Sequence, residues 1–220
     1  MNNTLIAANF KSYKTISEAN EWLSEFSKIN SMSVQSKDVV VFPSFNLLFS
    51  FYSYFSANNI KAFLGAQNLS PFEEGPYTGE VSAKQVKELA SYVLIGHSER
   101  RKFFGETDEM LGNKVRMALE NKLIPIFCVQ DKNTFIPEEV SVIAYEPVFA
   151  IGSGNPDTPE NADGVAAFLK SKNSGYKVLY GGSVTSQNVK GFTSKTSIDG
   201  VLVGGASLQA DEFLNIINNA

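Results

Sequence analysis

The sequence has very little disulfide or metal-binding chemistry. It contains one cysteine, Cys128, and one histidine, His97, among 220 residues. A single thiol cannot form an intramolecular disulfide, and one histidine with one cysteine cannot build the usual zinc sites. We therefore expect a protein without a bound metal, and a reducing cytoplasm is the simplest compartment for it.

Long apolar runs and an excess of positive charge are also missing. No run approaches the roughly 18 apolar residues of a transmembrane helix, and the N-terminus MNNTLIAANFK lacks a basic stretch followed by a long apolar one. The formal net charge is −4 and the sequence pI is near 5.2. This balance argues against a general nucleic-acid or anionic-membrane surface, so neither is an expected partner.

The chain does contain a regular series of short apolar runs. They are rich in β-branched or small residues and apolar on both faces, which favours buried parallel strands. The predicted strands lie at 4–9, 38–43, 61–67, 91–96, 124–129, 140–145, 177–182 and 199–205.

Helical patterns separate most of the predicted strands. They lie at 17–29, 44–56, 82–90, 107–121, 158–172, near 186–192 and at 208–218. Ser17 is interpreted as the N-cap of the first helix, and Pro159 as a first helical residue. Eight strands alternating with helices, without a shift in composition, predict one (β/α)8 barrel over residues 1–220. An open doubly wound sheet has the same alternation and remains the alternative.

One interval breaks the alternation. Between Cys128 and Glu146 there is room for a loop and a strand, but not for a full helix. The segment QDKNTFIPEE, residues 130–139, contains Pro137 and has little periodicity. We expect the fifth helix of the barrel to be shortened or absent.

Polar residues and glycines follow the carboxyl ends of several predicted strands. In a barrel these ends open on one face, where active sites are built, so residues distant in sequence would converge there. The residues in question are Asn9, Lys11, His97, Glu146, Gly181, Gly182, Ser183, Gly204 and Gly205.

The two glycine pairs suggest a phosphate site. Glycine allows close approach of the backbone, and backbone N–H groups at a helix start favour an anion. The loops after the seventh and eighth strands are the usual phosphate site in barrels. Each pair alone is also an ordinary strand-to-helix turn, but two pairs at these loops together favour a phosphate cradle.

Longer motifs over nearly the whole chain resemble the triosephosphate isomerase family. They are ANFKSYK (8–14), GAQNLSPFEEGPYTGEVSA (65–83), IGHSERR (95–101), AYEPVFAIGSG (144–154), YGGSV (180–184) and GVLVGGASL (200–208). The resemblance implies a TIM barrel that interconverts dihydroxyacetone phosphate and D-glyceraldehyde 3-phosphate. The reaction passes through an enediolate in glycolysis and gluconeogenesis, and it needs no cofactor.

The resemblance also implies the catalytic roles. Glu146 corresponds to the base that removes the carbon-bound proton, and His97 to the electrophile that polarises the oxygens. Asn9 and Lys11 correspond to the first-strand motif, and Lys11 would direct positive charge to the phosphate and the oxyanion. Glu99 is expected near Lys11. A helix starting at Ser98 would place its positive end towards His97, which predicts a neutral imidazole.

A lid is implied directly after the base. It comprises Pro147, Val148, Phe149, Ala150, Ile151, Gly152, Ser153 and Gly154. Its closure would exclude water and suppress loss of phosphate from the enediolate. The N–H of Gly152, with those of Ser183, Gly204 and Gly205, would hold the phosphate. Phe149 stands where the family usually has Trp, and Ser153 and Asn155 where it usually has Thr and Lys.

The resemblance further implies a homodimer. The long loop at 65–83 would project into a second subunit, with Thr78 reaching the partner's active site. Arg100 and Arg101 are interpreted as structural ion-pair residues. Cys128 is expected to pack near the base and not to act as a nucleophile.

Two other functions fit parts of the pattern. The first is another phosphate-binding barrel enzyme. An epimerase would normally bring metal ligands, and a Schiff-base aldolase needs a buried lysine at a strand end, for which Lys11 is the only candidate. A barrel that binds a ligand without catalysis is the other, and the short fifth segment favours it. The joint presence of Asn9, Lys11, His97 and Glu146 favours the isomerase.

Overall fold

The fold is a closed barrel of eight parallel strands. A computed structural model of the protein describes residues 3–31, 34, 36–148 and 156–220. Each strand pairs with its neighbour in chain order, and the eighth strand pairs with the first. The strands are β1 Thr4–Asn9, β2 Lys37–Phe42, β3 Phe63–Ala66, β4 Tyr92–Ile95, β5 Ile124–Val129, β6 Val142–Tyr145, β7 Lys177–Tyr180 and β8 Gly200–Val203. The predicted barrel is confirmed, and the open sheet was the wrong alternative.

Helices follow most of the strands and surround the barrel. They are α1 Ile16–Phe26, α2 Phe45–Asn58, α3 Ala83–Lys87, α4 Ser98–Phe104, α5 Asp108–Glu120, α6 Pro159–Lys172, α7 Val189–Thr193 and α8 Ala210–Asn219. The 3-10 segments Ser27–Ser31 and Gly205–Leu208 extend this set. Pro159 is the first residue of α6, as predicted.

The start of α1 differs from the prediction. The N-cap is Thr15 and not Ser17, because the Thr15 side chain accepts a hydrogen bond from the N–H of Glu18 while the Glu18 carboxylate accepts one from the N–H of Thr15. This reciprocal capping box satisfies two backbone donors at once. Ser17 lies inside the first turn of α1.

Both faces of the strands are buried, which explains their uninterrupted apolar sequences. In β1, Leu5 and Ala7 face a cluster inside the barrel, whereas Ile6 and Ala8 belong to the larger cluster between strands and helices. The pleat sends alternate residues to the two clusters. Apart from strand starts such as Phe63 and Ile124, which are exposed, neither face meets water, so the strands do not alternate between polar and apolar residues.

The interval between β5 and β6 contains no helix in residues 130–141, all of which the structure describes. Turns replace it: Asp131 Oδ1 accepts a hydrogen bond from the N–H of Asn133 at 2.7 Å. The segment is tied to α6 by Lys172, whose Nζ donates to the carbonyl of Lys132 at 2.8 Å. Ile136 packs against the outer cluster. The expectation that the helix after the fifth strand is shortened or absent is confirmed; α5 as numbered here follows β4.

In the described part of the chain, no helix combines the length and apolar character needed to cross a membrane.

Candidate active site

The polar strand ends surround one cavity of about 220 Å³ at the carboxyl end of the barrel. Of the residues predicted from the sequence, those that line it are Asn9, Lys11, His97, Glu146, Gly181, Gly182, Ser183, Gly204 and Gly205. Glu99 lies beside the cavity in contact with Lys11. The structure therefore brings together residues from five different strand ends.

Lys11 is held in an unusual backbone conformation directly after β1. Its φ is +52°, in the left-handed region that costs a non-glycine residue on the order of 1 kcal/mol. Two side chains support this turn. Asn9 Oδ1 accepts a hydrogen bond from the N–H of Lys11 at 2.9 Å, and Gln67 Nε2 donates to the Lys11 carbonyl at 2.9 Å.

The Lys11 side chain crosses the cavity mouth to Glu99. Nζ of Lys11 lies 2.6 Å from Oε1 of Glu99, as the sequence predicted for this pair. The carbon chain of Lys11 passes Gly204, where an added Cβ would lie 3.5 Å from Cε. The ammonium group is therefore placed between the first and eighth strand ends, and its position is set by a carboxylate.

His97 forms the N-cap of α4. Its Nδ1 accepts a hydrogen bond from the N–H of Glu99 at 3.3 Å, and its Nε2 lies 3.0 Å from Oε1 of Glu146. In a neutral ring this arrangement leaves Nδ1 unprotonated and puts the hydrogen on Nε2. The donor of the imidazole therefore points at the proposed base and into the cavity.

The pKa of His97 shifts in the opposite direction from the one expected from the helix dipole. Burial lowers the pKa of His97, but the carboxylate of Glu146, and after it that of Glu99, raises it, and the net shift is upward from the ordinary value. This direction is opposite to the one expected from the helix end alone, because the carboxylate of Glu146 is adjacent. The neutral imidazole itself stays a prediction, and the hydrogen bond that Nδ1 accepts from the N–H of Glu99 requires an unprotonated Nδ1.

Glu146 is almost completely buried, with 2% of its surface exposed. Its backbone N–H donates to the carbonyl of Val129 at 2.8 Å, which extends the β5–β6 pairing by one residue. Its Oε2 accepts a hydrogen bond from the N–H of Ser98 at 3.0 Å. Both carboxylate oxygens are thus engaged by α4 and its N-cap.

The glycine pair after β7 is needed for close packing. A Cβ on Gly181 would lie 3.0 Å from Cγ of Glu146, and one on Gly182 would lie 2.1 Å from the hydroxyl of Tyr180. Gly181 therefore leaves room for the proposed base, and Gly182 leaves room for a buried tyrosine. By contrast, no described atom lies within 4 Å of a Cβ added to Gly205.

Comparison with known proteins agrees with this geometry. The family model described as triosephosphate isomerase matches residues 4–139 and 135–220. Proteins named triosephosphate isomerase from Dictyoglomus turgidum and Hahella chejuensis are 39% and 40% identical, over 252 and 250 aligned positions. Each alignment covers 100% of this chain, with 100% and 99% of the relative. The chain belongs to the triosephosphate isomerase family.

A solved structure supports the same conclusion. The crystal structure of triosephosphate isomerase from Bartonella henselae superposes with a TM-score of 0.83 at 31% identity, covering 99% of this chain and 98% of that one. This member of the triosephosphate isomerase family is thus an isomerase. The alignments with the first two relatives are longer than its 220 residues, so they contain gaps on its side.

Other predicted residues of this triosephosphate isomerase family member are structural. Arg100 Nε lies 2.6 Å from Glu106 Oε1, and Arg101 Nη1 lies 3.0 Å from Asp108 Oδ1, so the predicted ion pairs are present. Cys128 is fully buried, and burial first, then the charge of Glu146, raises the pKa of its thiol well above the ordinary value. Such a thiol is a poor nucleophile.

The lid predicted from the triosephosphate isomerase resemblance is described only at its start. Pro147 is buried and Val148 is exposed. Phe149, Ala150, Ile151, Gly152, Ser153, Gly154 and Asn155 lie outside the described residues, so the roles given to them stay predictions.

Sequence reasoning missed two contributors to this site. Gln67 directly follows β3 and holds the carbonyls of Lys11 and Phe42, each at 2.9 Å. The rule applied to the other strand ends could have found it. The backbone N–H of Ser98 binds Glu146, and only the folded arrangement of α4 against β6 shows this contact.

Proposed function

We propose that this chain interconverts dihydroxyacetone phosphate and D-glyceraldehyde 3-phosphate, with Glu146 as the base and His97 as the electrophile. The observation that carries the proposal is the pairing of Glu146 Oε1 with His97 Nε2, 3.0 Å apart, in a cavity that also receives Lys11. A carboxylate, an imidazole donor and a cation are the groups that proton transfer next to a carbonyl requires.

The reaction moves protons only. Glu146 removes a proton from the carbon next to the carbonyl, the electron pair moves to the oxygen, and an enediolate forms. Nε2 of His97 donates a hydrogen bond to the enediolate oxygens while the hydroxyl proton moves between them. Protonated Glu146 then returns its proton to the neighbouring carbon. These side chains supply every group that the steps use, so the proposed reaction needs no cofactor.

Substrate must displace contacts that are present in this structure. Glu146 uses one oxygen for the N–H of Ser98 and the other for His97. Neither Glu146 nor His97 can act on the substrate until these contacts loosen. Binding is therefore coupled to a rearrangement of the Glu146 side chain, in which the carboxylate leaves the start of α4.

The phosphate is proposed to bind between Lys11 and the loops after β7 and β8. Ser183, Gly204 and Gly205 line the cavity with Lys11, and Gly205 begins the 3-10 segment after β8. Asn9 supports this site through its hydrogen bond to Lys11. Gly152 is proposed to contribute its N–H from the lid.

We further propose one catalytic domain over residues 1–220 that works as a cytoplasmic homodimer. Residues 72–80 of the loop before α3 are all exposed, Thr78 among them. Phe72 and Tyr77 stack on this loop with ring centroids 4.4 Å apart. Exposed stacked aromatics are typical of an interaction surface.

A cytoplasm suits a chain whose one thiol is free and buried.

The test is isomerase activity with three variants beside the parent. Glu146→Asp withdraws the carboxylate and His97→Gln removes the imidazole, so each should lower kcat on the order of 10²-fold or more. Glu109→Asp is the matched control, because Glu109 is an exposed glutamate on α5. A parent that binds a phosphate-bearing enediolate mimic but shows no turnover would make the barrel a binding protein.

A further inference from the structure

Trp22 is a buried residue of α1 whose side chain is hydrogen-bonded to a loop of the proposed phosphate site. It is the single tryptophan of the chain, and it is 3% exposed. Its Nε1–H donates to the carbonyl of Ser207 at 3.0 Å. A buried indole N–H needs an acceptor, and the acceptor here belongs to the 3-10 segment after β8.

Ser207 closes the turn that follows β8. Its N–H and its Oγ both donate to the carbonyl of Gly204, at 2.9 Å and 2.7 Å. The C=O and N–H of one trans peptide unit point in opposite directions, so these bonds turn the N–H of Gly205 away from Ser207. This N–H is the first of the 3-10 segment and has no acceptor within its own turn. Ser207 therefore sets the orientation of an N–H that is proposed to bind phosphate.

The hydrogen bond from Trp22 restrains Ser207. Ser207 is completely buried, so water cannot take the place of the indole N–H at its carbonyl. A buried carbonyl that loses a donor keeps the cost of its desolvation, and the 3-10 segment can lower this cost only by moving. The position of the segment, and with it that of Gly205, therefore depends on Trp22.

The indole of Trp22 also contacts the loop on the other side of the phosphate site. It packs edge-on against Phe10, with ring centroids 4.9 Å apart and an angle of 74° between the rings. Phe10 lies between Asn9 and Lys11, which both line the cavity. Edge-to-face aromatic pairs favour one mutual arrangement. One side chain thus joins the residues after β1 to the segment after β8.

We propose that Trp22 is a positioning residue for phosphate binding. Through Ser207 it fixes the N–H of Gly205, and through Phe10 it fixes the backbone from which the Lys11 side chain starts. Both groups face the same cavity, so a shift of either loop separates the cation from the N–H donor. Phosphate binds less tightly when these groups are no longer held in place before it arrives.

The expected effect is on binding and not on proton transfer. The contacts that join Trp22 to the site are at the ends of β1 and β8, whereas Glu146 and His97 lie at the ends of β6 and β4. A residue that supports the phosphate in the bound substrate and in the transition state alike changes KM more than kcat.

The inference rests on the proposed phosphate site, and steady-state kinetics and direct binding test it. Trp22→Phe keeps an aromatic ring against Phe10 but removes the N–H donor. KM for D-glyceraldehyde 3-phosphate should rise about 5-fold to 10-fold, as for the loss of one buried hydrogen bond, with kcat within about twofold of the parent. The Kd of glycerol 3-phosphate, which carries a phosphate but no carbonyl, should rise by the same factor in an NMR titration.

A second replacement keeps the bulk of the side chain. Because Trp22 is the single tryptophan, incorporation of benzothienylalanine in place of tryptophan changes this position alone. Its ring system has the shape of indole, with sulfur in place of the N–H. KM and Kd should rise as in Trp22→Phe, although the packing against Phe10 and the stacking on Phe26, at 4.4 Å between ring centroids, are retained.

Phe55→Leu is the matched control for packing. Phe55 is a buried residue of the same outer cluster, and it stacks on Phe26 at 6.1 Å, one ring further from the phosphate site than Trp22. Its truncation should lower Tm. KM and Kd should stay within about twofold of the parent, because the bond from Trp22 to Ser207 is left in place.

The possible outcomes separate the inference from the proposed function. Unchanged KM and Kd in both Trp22 replacements, with Tm lowered as in Phe55→Leu, would overturn the inference. A lower kcat at unchanged KM would also overturn it, because Trp22 would then act on proton transfer. A parent that does not bind glycerol 3-phosphate would remove the phosphate site and the inference together. A parent that binds it without turnover would remove the isomerase reaction alone, and the Kd values would then decide the inference.

Discussion

His97 and Glu146 are in direct contact, with Nε2 3.0 Å from Oε1, and both side chains are almost completely buried. The contact joins the start of α4 to the end of β6. It holds the imidazole donor and the carboxylate of the proposed reaction against each other. Because His97 is the only histidine in the chain, a single imidazole titration reports on this pair.

The first prediction concerns that titration. The pKa of His97 is raised because Glu146 outweighs the effect of burial, so its midpoint should lie above the ordinary value of about 6.5. A raised pKa in the folded protein stabilises it below the unfolded pKa, and this contribution is lost as pH rises through the folded pKa. Proton NMR of the imidazole C2–H resonance measures the midpoint.

Glu146→Gln is the control for this titration. It removes the main cause that raises the pKa and leaves burial, so the midpoint should move downward. An unchanged midpoint would mean that the two side chains are not in contact in solution.

The second prediction compares two lysines. Lys11 and Lys14 both have positive φ, but only Lys11 lines the cavity, whereas Lys14 lies over the ring of Phe10. Lys11→Met should lower kcat/KM on the order of 10²-fold to 10³-fold, because a preorganised cation is lost. Lys14→Met should change it by less than about twofold. Equal losses in the two variants would assign the effect to the loop and not to the ammonium group.

The third prediction compares two glycines that both line the cavity. Gly182→Ala should destabilise the protein by about 1–3 kcal/mol, because the new Cβ would lie 2.1 Å from the Tyr180 hydroxyl. Gly205→Ala should change stability by less than about 0.5 kcal/mol, since its Cβ would meet no described atom within 4 Å. Urea unfolding measures both. Similar stability of the two variants would contradict the packing derived for Tyr180.

Much of the fold could be predicted because its determinants are local. Residues such as Ile6 and Ala7 of β1 are buried on opposite faces, so the apolar runs marked all eight strands. The convergence of Asn9, His97 and Glu146 followed from one rule, that strand ends of a barrel share a face. The start of α1 was wrong because Thr15 and Ser17 are both good N-caps, and Glu18 completes a capping box only with Thr15.

What could not be predicted depends on contacts between distant residues. The pKa of His97 depends on Glu146, and the N–H of Trp22 donates to Ser207, 185 residues away. No periodicity or short motif records such pairs. The packing role of Gly182 was likewise hidden, because only the folded structure shows the Tyr180 hydroxyl in the space of its missing Cβ.

The last prediction tests the proposed dimer at the loop that carries Thr78. This loop is ordered by its own contacts, including a hydrogen bond from the N–H of Glu80 to the Tyr77 carbonyl at 2.9 Å and an ion pair between Lys84 and Glu74 at 2.7 Å. Its stacked Phe72 and Tyr77 are therefore presented in a fixed arrangement. Tyr77→Asp places a charge on that surface and should dissociate the dimer.

Sedimentation equilibrium measures the effect against a control of equal exposure. Tyr77 and Phe168 are each 40% exposed, and Phe168 lies on α6, outside the loop. Phe168→Asp should therefore sediment as two chains, as the parent does, while Tyr77→Asp should sediment as one. If the parent already has the mass of a single 24.1 kDa chain, the homodimer proposal fails. If Phe168→Asp dissociates and Tyr77→Asp does not, the interface lies on the side of α6, next to residues 130–139, which take the place of a helix between β5 and β6.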